Sequence, residues 1–341
     1  MSARAIILVG SGDPQRNITP PTGSLTNSGW QFQGQWGSFL GTPVSPRHFL
    51  AAKHVGGSVG DAFVFRGVTY TTTAMYDDGQ SDLRLWRVCG VFPEYAPIYD
   101  KSNEVTRPCV LFGRGTQRGG PLVIDGMSGP VTKGWFWGAY DGVQRWGTNI
   151  VSSTLPNAIT QVGDLLEARF DAGGGADEAH LSSGDSSGGV FIKDGVLWKL
   201  AGINFSVEGP FSTTTNGPGF LAAITDKGGL YSSINGNWVL HPDGSVDVPS
   251  KFYMSRVTVH RAWIQSVIDG PVPVVPPPRL ESAPAVTGLY QEETAVTHDT
   301  GAKTFTLLKP AQKRFFQLNG CEPFHIAEIS VSGPNLVIRY D

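Results

Sequence analysis

The sequence predicts a mostly β protein: many short strands closed into barrels or a sandwich, one helix behind them, and a small β module at the C-terminus. Three observations carry this. Glycine (44) and proline (24) together take a large share of the 341 residues, which favours tight turns over long helices. From Trp30 to about residue 240, short apolar runs such as "HFLAAKHV", "AFVFRGVTY", "LRLWRV" and "GVLWKLAGINFSV" recur between Gly, Asp and Pro breaks, as strands joined by turns do. The one good helix-period run, "SRVTVHRAWIQSVID", follows them; Val259, Trp263, Ile264 and Val267 share a face, and Ser255 or Thr258 is positioned to cap its start.

Along the chain, residues 1–29 hold turn-forming residues without periodicity and read as an extended lead-in to a domain spanning 30–269. The prolines of "GPVPVVPPPRL" deny ladder hydrogen bonds and favour polyproline II, so residues 270–279 read as a semi-rigid linker. Residues 280–341 alternate, with Leu336, Ile338 and Tyr340 on one face of "LVIRYD", and predict the small β module. It is a candidate for binding a surface or partner. Charged residues make only 16% of the chain and the net charge is −3, which argues against nucleic-acid or membrane-surface partners. No run of 18 apolar residues exists, which excludes a helical membrane span. Cys89, Cys109 and Cys321 fit no metal-ligand spacing, and their odd number leaves at least one outside any internal bridge; Cys89 with Cys109 is one pairing open to them.

The chemistry centres on "HLSSGDSSGGVFI" at 180–192. A serine hydroxyl becomes a nucleophile only when a neighbouring base takes its proton, and that base works best when a carboxylate orients it. "SPRHFLAAKHVGG" offers His54 at the end of an apolar run, and "SDLRLWRV" offers Asp82 at the head of another. The glycines around Ser186 permit backbone angles that aim N–H groups at one spot.

These three blocks resemble those of the trypsin-like, or chymotrypsin-fold, serine endopeptidases, and most closely the bacterial secreted members. "SPRHFLAAKH" is similar to the family's "SPxxxLTAAH", "SDLRLWRV" to "DIALLRL" and "GDSSGGVF" to "GDSGGPLV", in the family's order His, Asp, Ser and over roughly residues 30–269. The resemblance implies a double six-stranded antiparallel β-barrel with a C-terminal helix, and hydrolysis of peptide bonds in a protein or peptide substrate. In it Ser186 attacks, His54 acts as base and then acid, and Asp82 holds the imidazole. The backbone N–H groups of Gly184 and Ser186 form the oxyanion hole, and no metal or organic cofactor is needed. It implies a secreted or periplasmic location, although no signal peptide is evident. The residue six before the serine, His180, falls at the family's pocket floor. Two positions depart from the family: Val55 replaces its usual cysteine, and Ser187 its usual glycine. Ser186 is preferred over Ser187 as nucleophile because only Ser186 has a glycine two residues earlier.

Two other readings compete. "GDSSG" also satisfies the G-x-S-x-G elbow of lipases and esterases, whose later acid and base would be Asp243 and His260, but the alternating helices of that fold are missing from the pattern. A protease scaffold can also serve as an inactive binding protein. "DEAH" at 177–180 has no accompanying phosphate loop and reads as coincidence, "DGSVD" at 243–247 as a polar turn, His260 as structural, and the arginines of "GRGTQRG" as solvated surface.

Overall fold

Strands β1 (Gly34–Trp36), β2 (Phe39–Ser45), β3 (His48–Ala52), β4 (Ala62–Phe65), β5 (Val68–Asp77) and β6 (Leu83–Val88) close into a barrel in the order β1-β2-β3-β6-β5-β4. A second six, β7 (Pro108–Gly113), β8 (Arg145–Leu155), β9 (Leu165–Arg169), β10 (Gly189–Asp194), β11 (Leu197–Val207) and β12 (Lys251–Arg256), close in the order β8-β9-β12-β11-β10-β7. Both barrels are antiparallel, as the resemblance implies. The computed structural model describes residues 6–126, 129–157, 162–234, 236–271, 277–321 and 324–341.

Period-two alternation builds the first barrel. Phe63 and Phe65 turn inward and are fully buried, and Arg66-Gly67 form the two-residue turn to β5, both with positive φ (+51° and +78°) as such hairpins require. Phe49 stacks on Phe63 with ring centroids 3.9 Å apart, and Trp36 lies 4.8 Å from Trp86. The second barrel is filled by Leu111, Leu166, Val190, Ile192, Phe252 and Met254. A third cluster joins the two, drawing Leu50 and Leu85 from one and Phe112, Phe191 and Ile203 from the other. The helix α1 (Arg261–Ile268) adds Ile264, 1% exposed, to this cluster. It starts later than the periodicity suggests, because Thr258–His260 form a 3₁₀ turn; Val259 is 45% exposed, and neither Ser255 nor Thr258 caps the helix.

Among the described residues of the same part of the chain, three small sheets lie outside the barrels, one of them formed by Phe211–Ser212, Tyr231–Ile234 and Asn237–Leu240. The hairpin Thr116–Gly126/Gly129–Tyr140 takes Ala222–Ile224 as a third strand beside Gly129–Tyr140. Within the stretch read as a lead-in, Ile7–Leu8 pair with Ala179–His180, and Ile6, Ile7 and Leu8 are buried. Arg118 donates to the carbonyls of Leu8 and Val9 while its guanidinium lies 3.7 Å from the Trp135 ring centroid. The expectation that the "GRGTQRG" arginines are solvated surface is therefore corrected. Carbonyls and an aromatic face give Arg118 a half-buried seat, and Arg114 donates to Gly142 O at 2.6 Å.

The chain divides into two compact units, Met1–Arg87 with Phe92–Asp269, and Val88–Val91 with Gly270–Asp341. Of the linker reading at 270–279, residues 272–276 lie outside the described residues. The second unit holds a three-stranded sheet centred on Arg279–Ala283 and a four-stranded one in the order Val296–Asp299, Thr304–Leu308, Asn335–Tyr340, Ile326–Ser332. Leu336, Ile338 and Tyr340 face its core together with Leu280, Phe305 and Leu307. Cys89 is bridged to Cys321, and Gly90 N–H donates to Cys321 O at 3.1 Å. The open pairing of Cys89 with Cys109 is thus corrected: Cys109 sits on β7 inside the second barrel, 1% exposed, where burial pushes its thiol up to about 12. Among the described residues no helix is long and apolar enough to cross a membrane.

Candidate active site

The pairing of β3 with β6 sets two of the candidate residues side by side. Ala52 is in register with Leu83, so the chain leaving β3 into the 3₁₀ turn Lys53–Val55 meets the chain entering β6. His54 N–H donates to Asp82 Oδ1 at 3.0 Å, and His54 Nδ1 lies 2.5 Å from Asp82 Oδ2. Asp82 is 5% exposed, whereas the His54 side chain is 38% exposed and open to a ligand. Lys53 steadies the acid's turn by donating through Nζ to Ser81 O at 2.8 Å and Asp78 O at 3.3 Å. Asp77 is engaged by Arg84, and Asp78 by His260 and Ser81. Neither competes for His54.

The turn before β10 brings in the serine. Ser186 Oγ lies 2.9 Å from His54 Nε2, so His54, Asp82 and Ser186 form one hydrogen-bonded line. Gly184 has φ of +94°, and a Cβ there would fall 2.8 Å from Gly115 Cα, so both conformation and space call for glycine. The N–H groups of Asp185, Ser187, Gly188 and Gly189 bind Ser182 O, Asn204 O, Asp185 O and Gln33 Oε1. Among the described residues, by contrast, no protein acceptor takes the N–H of Gly184 or Ser186. Ser187 is fully buried with φ of +70°, and its Oγ accepts the Ala52 N–H at 3.0 Å.

Beneath this turn Asp185 is fully buried, accepting from Gly115 N–H (2.7 Å), Ser182 N–H (2.7 Å), Ser182 Oγ (2.8 Å) and Ile6 N–H (3.3 Å). Burial still pushes its carboxyl up to about 6. Gly113 leaves it room, since a Cβ there would lie 2.1 Å from Asp185 Oδ1. Asn204 ties the turn to β7, donating to Phe112 O at 2.8 Å and Asp185 O at 2.9 Å. Sequence reasoning missed Asn204, although a lone amide inside the apolar run "LAGINF" was the available signal. Asn204→Ala should destabilise the chain by about 1–3 kcal/mol by removing two buried hydrogen bonds, read from denaturant midpoints. The accompanying loss in kcat should exceed any change in KM.

A cavity of about 290 Å³ opens beside Ser186. His180 does not line it, which corrects the placement at the pocket floor. His180 is fully buried in the interior, and the next residue, Leu181, lines the cavity. The His180 ring lies edge-on to Phe170 and Phe252, its Nδ1 is 2.6 Å from Leu181 O, and burial pushes it down to about 4. The esterase partners also lie elsewhere: Asp243 is paired with Lys133, and His260 with Asp78.

Glu178, beside this region, is 4% exposed and pushed up to about 8 by burial, although Asn149 Nδ2 and Asp171 N–H donate to it. A raised carboxyl favours folding below its ordinary value and loses that contribution as the pH climbs through about 8; Asp185 acts likewise through about 6. His48 and His180, both pushed down to about 4, act oppositely, losing their contribution as the pH falls through about 4. Glu178→Gln should therefore raise Tm more at pH 8 than at pH 5. Calorimetry of both proteins at the two pH values checks this, and a gap that does not change with pH would refute it.

No protein-family model matches the chain, and no curated protein matches it in sequence. Among solved structures it is similar to human heparin binding protein, at 15% identity and a TM-score of 0.42 over 73% of this chain and 96% of that one. It is also similar to kallikrein-related peptidase 10, at 15% identity and a TM-score of 0.40 over 74% and 99%. A third is neuropsin, a serine protease expressed in the limbic system of mouse brain, at 14% identity and a TM-score of 0.41 over 71% and 96%. These likenesses are weak, and the reading of the site rests on its own geometry.

Proposed function

We propose that this chain is a serine endopeptidase of the trypsin-like kind, secreted or periplasmic, and akin to those that bacteria secrete. The observation that carries the reading is the line from Asp82 through His54 to Ser186 Oγ, at 2.5 and 2.9 Å, ending at the mouth of a cavity. In the reaction, Ser186 Oγ bonds to the peptide carbonyl carbon as its proton passes to His54 Nε2. Asp82 accepts the Nδ1–H and stabilises the imidazolium. The unpartnered N–H groups of Gly184 and Ser186 are suited to receive the oxyanion. His54 then gives its proton to the amine as the C–N bond breaks, and water repeats the sequence to free the acyl group. The Cys89–Cys321 bridge supports an oxidising location.

An organophosphorus or sulfonyl fluoride probe tests the reading. It should label Ser186, leave Ser187 untouched, and abolish cleavage of an unfolded protein substrate, as peptide mapping of the labelled chain will show. A folded chain that takes no label would instead be a binding protein on a protease scaffold.

A further inference from the structure

The cavity beside Ser186 is lined by four stretches of chain. Leu181 to Ser183 lead into the serine turn, and Phe205 to Val207 continue β11 past Asn204. The other two belong to neither barrel: Trp137 lies in the inserted sheet and Leu221 just before that sheet's third strand, where Trp137 N–H donates to Leu221 O at 3.4 Å. That sheet has its own core of Leu122, Phe211, Ala222, Ile224 and Leu230, so the wall it supplies is a packed element. Among the described residues no ionisable side chain lines the cavity. The charges beside the lining residues are committed elsewhere: Asp185 to the N–H groups of Gly115, Ser182 and Ile6, Glu208 to Lys227, and Arg118, in register with Trp137, to the carbonyls of Leu8 and Val9. Ser182 Oγ lies 2.9 Å from Thr116 O and 2.8 Å from Asp185 Oδ2, so its one proton already has an acceptor. His180, one residue before Leu181, is fully buried and does not line the cavity.

Resting on the endopeptidase reading, we infer that this cavity receives a large apolar side chain, such as Leu, Met or Phe, on the acyl side of the bond that Ser186 attacks, and that Trp137 and Leu221 set this preference. The physical grounds are two. Phe205, Val207, Trp137 and Leu221 are only partly covered, Leu221 being 39% exposed, so an apolar guest removes further apolar surface from water. A charged guest would lose its hydration and find no counter-charge.

The test uses the intact chain and four peptides identical except for Leu, Phe, Arg or Glu at the acyl-side residue. The kcat/KM values for Leu and Phe should exceed those for Arg and Glu by about 100-fold or more. Leu221→Asp should narrow the gap between Phe and Arg at least about tenfold, because it supplies a counter-charge. Circular dichroism reports that each protein is folded, and probe labelling of Ser186, which does not depend on the peptide, that it is competent. Labelling together with preferred cleavage after Arg or Glu, or with no ranking among the four peptides, overturns the inference alone. Absence of labelling in folded protein overturns the endopeptidase reading and this inference with it.

Discussion

Ser186→Ala is expected to lower kcat on a peptide substrate by about 10⁶-fold, the scale on which removing the nucleophile of such a triad acts. The residue is the one whose hydroxyl reaches His54 Nε2, at 2.9 Å. What remains should be the modest acceleration from bound substrate and oxyanion donors, roughly 10³–10⁴-fold over water. The neighbouring serine supplies the control. Ser187 Oγ is engaged by Ala52 N–H, one residue before the turn that carries His54. Ser187→Ala should therefore cost stability and leave probe labelling at position 186 intact. Retained turnover in Ser186→Ala would move the nucleophile elsewhere.

Asp82→Asn should lower kcat at neutral pH by about 10⁴-fold while preserving the fold, as the equivalent change does in a serine protease with this triad. An amide can donate to Nδ1, which invites the imidazole to hold its proton on Nε2 and leaves Ser186 without a base. The nearby acids offer no rescue, since Asp77 is held by Arg84 and Asp78 by His260 and Ser81. The measurement is kcat at pH 7 with circular dichroism as the control for folding. A fall of less than tenfold would show that another acid orients His54.

The two barrels and the His54–Asp82–Ser186 line were legible because each rests on local signals: alternation in runs such as "AFVF", and short blocks in which a chemically active residue adjoins a strand. What was not legible depends on residues far apart in the chain. Ile6–Leu8 are too few to show a period, yet they fill a strand position beside Ala179–His180. The burial of His180 depends on Phe170 and Phe252, contacts that its own neighbours in sequence do not announce. Nothing in "GWFWGAY" or "GFLAAI" signals that Trp137 and Leu221 would meet at a cavity beside Ser186. Cysteine spacing likewise carries no geometry, and the partner of Cys89 lay 232 residues away.

That bridge gives the chain a property its linear order does not suggest. Because Cys89 is bonded to Cys321, a single break anywhere between them, the proline-rich stretch included, leaves one covalent molecule. A nicked sample will run as the whole protein on a gel until a reductant is added, and only then separate into fragments. The closed loop also removes about 5 kcal/mol of freedom from the unfolded chain in the chain-entropy account, so the same reductant should lower resistance to heat. Shortening the gene at about residue 270 exposes Cys89 as an unpaired thiol, and a truncated chain made for activity measurements should carry Cys89→Ser to avoid dimers formed through it.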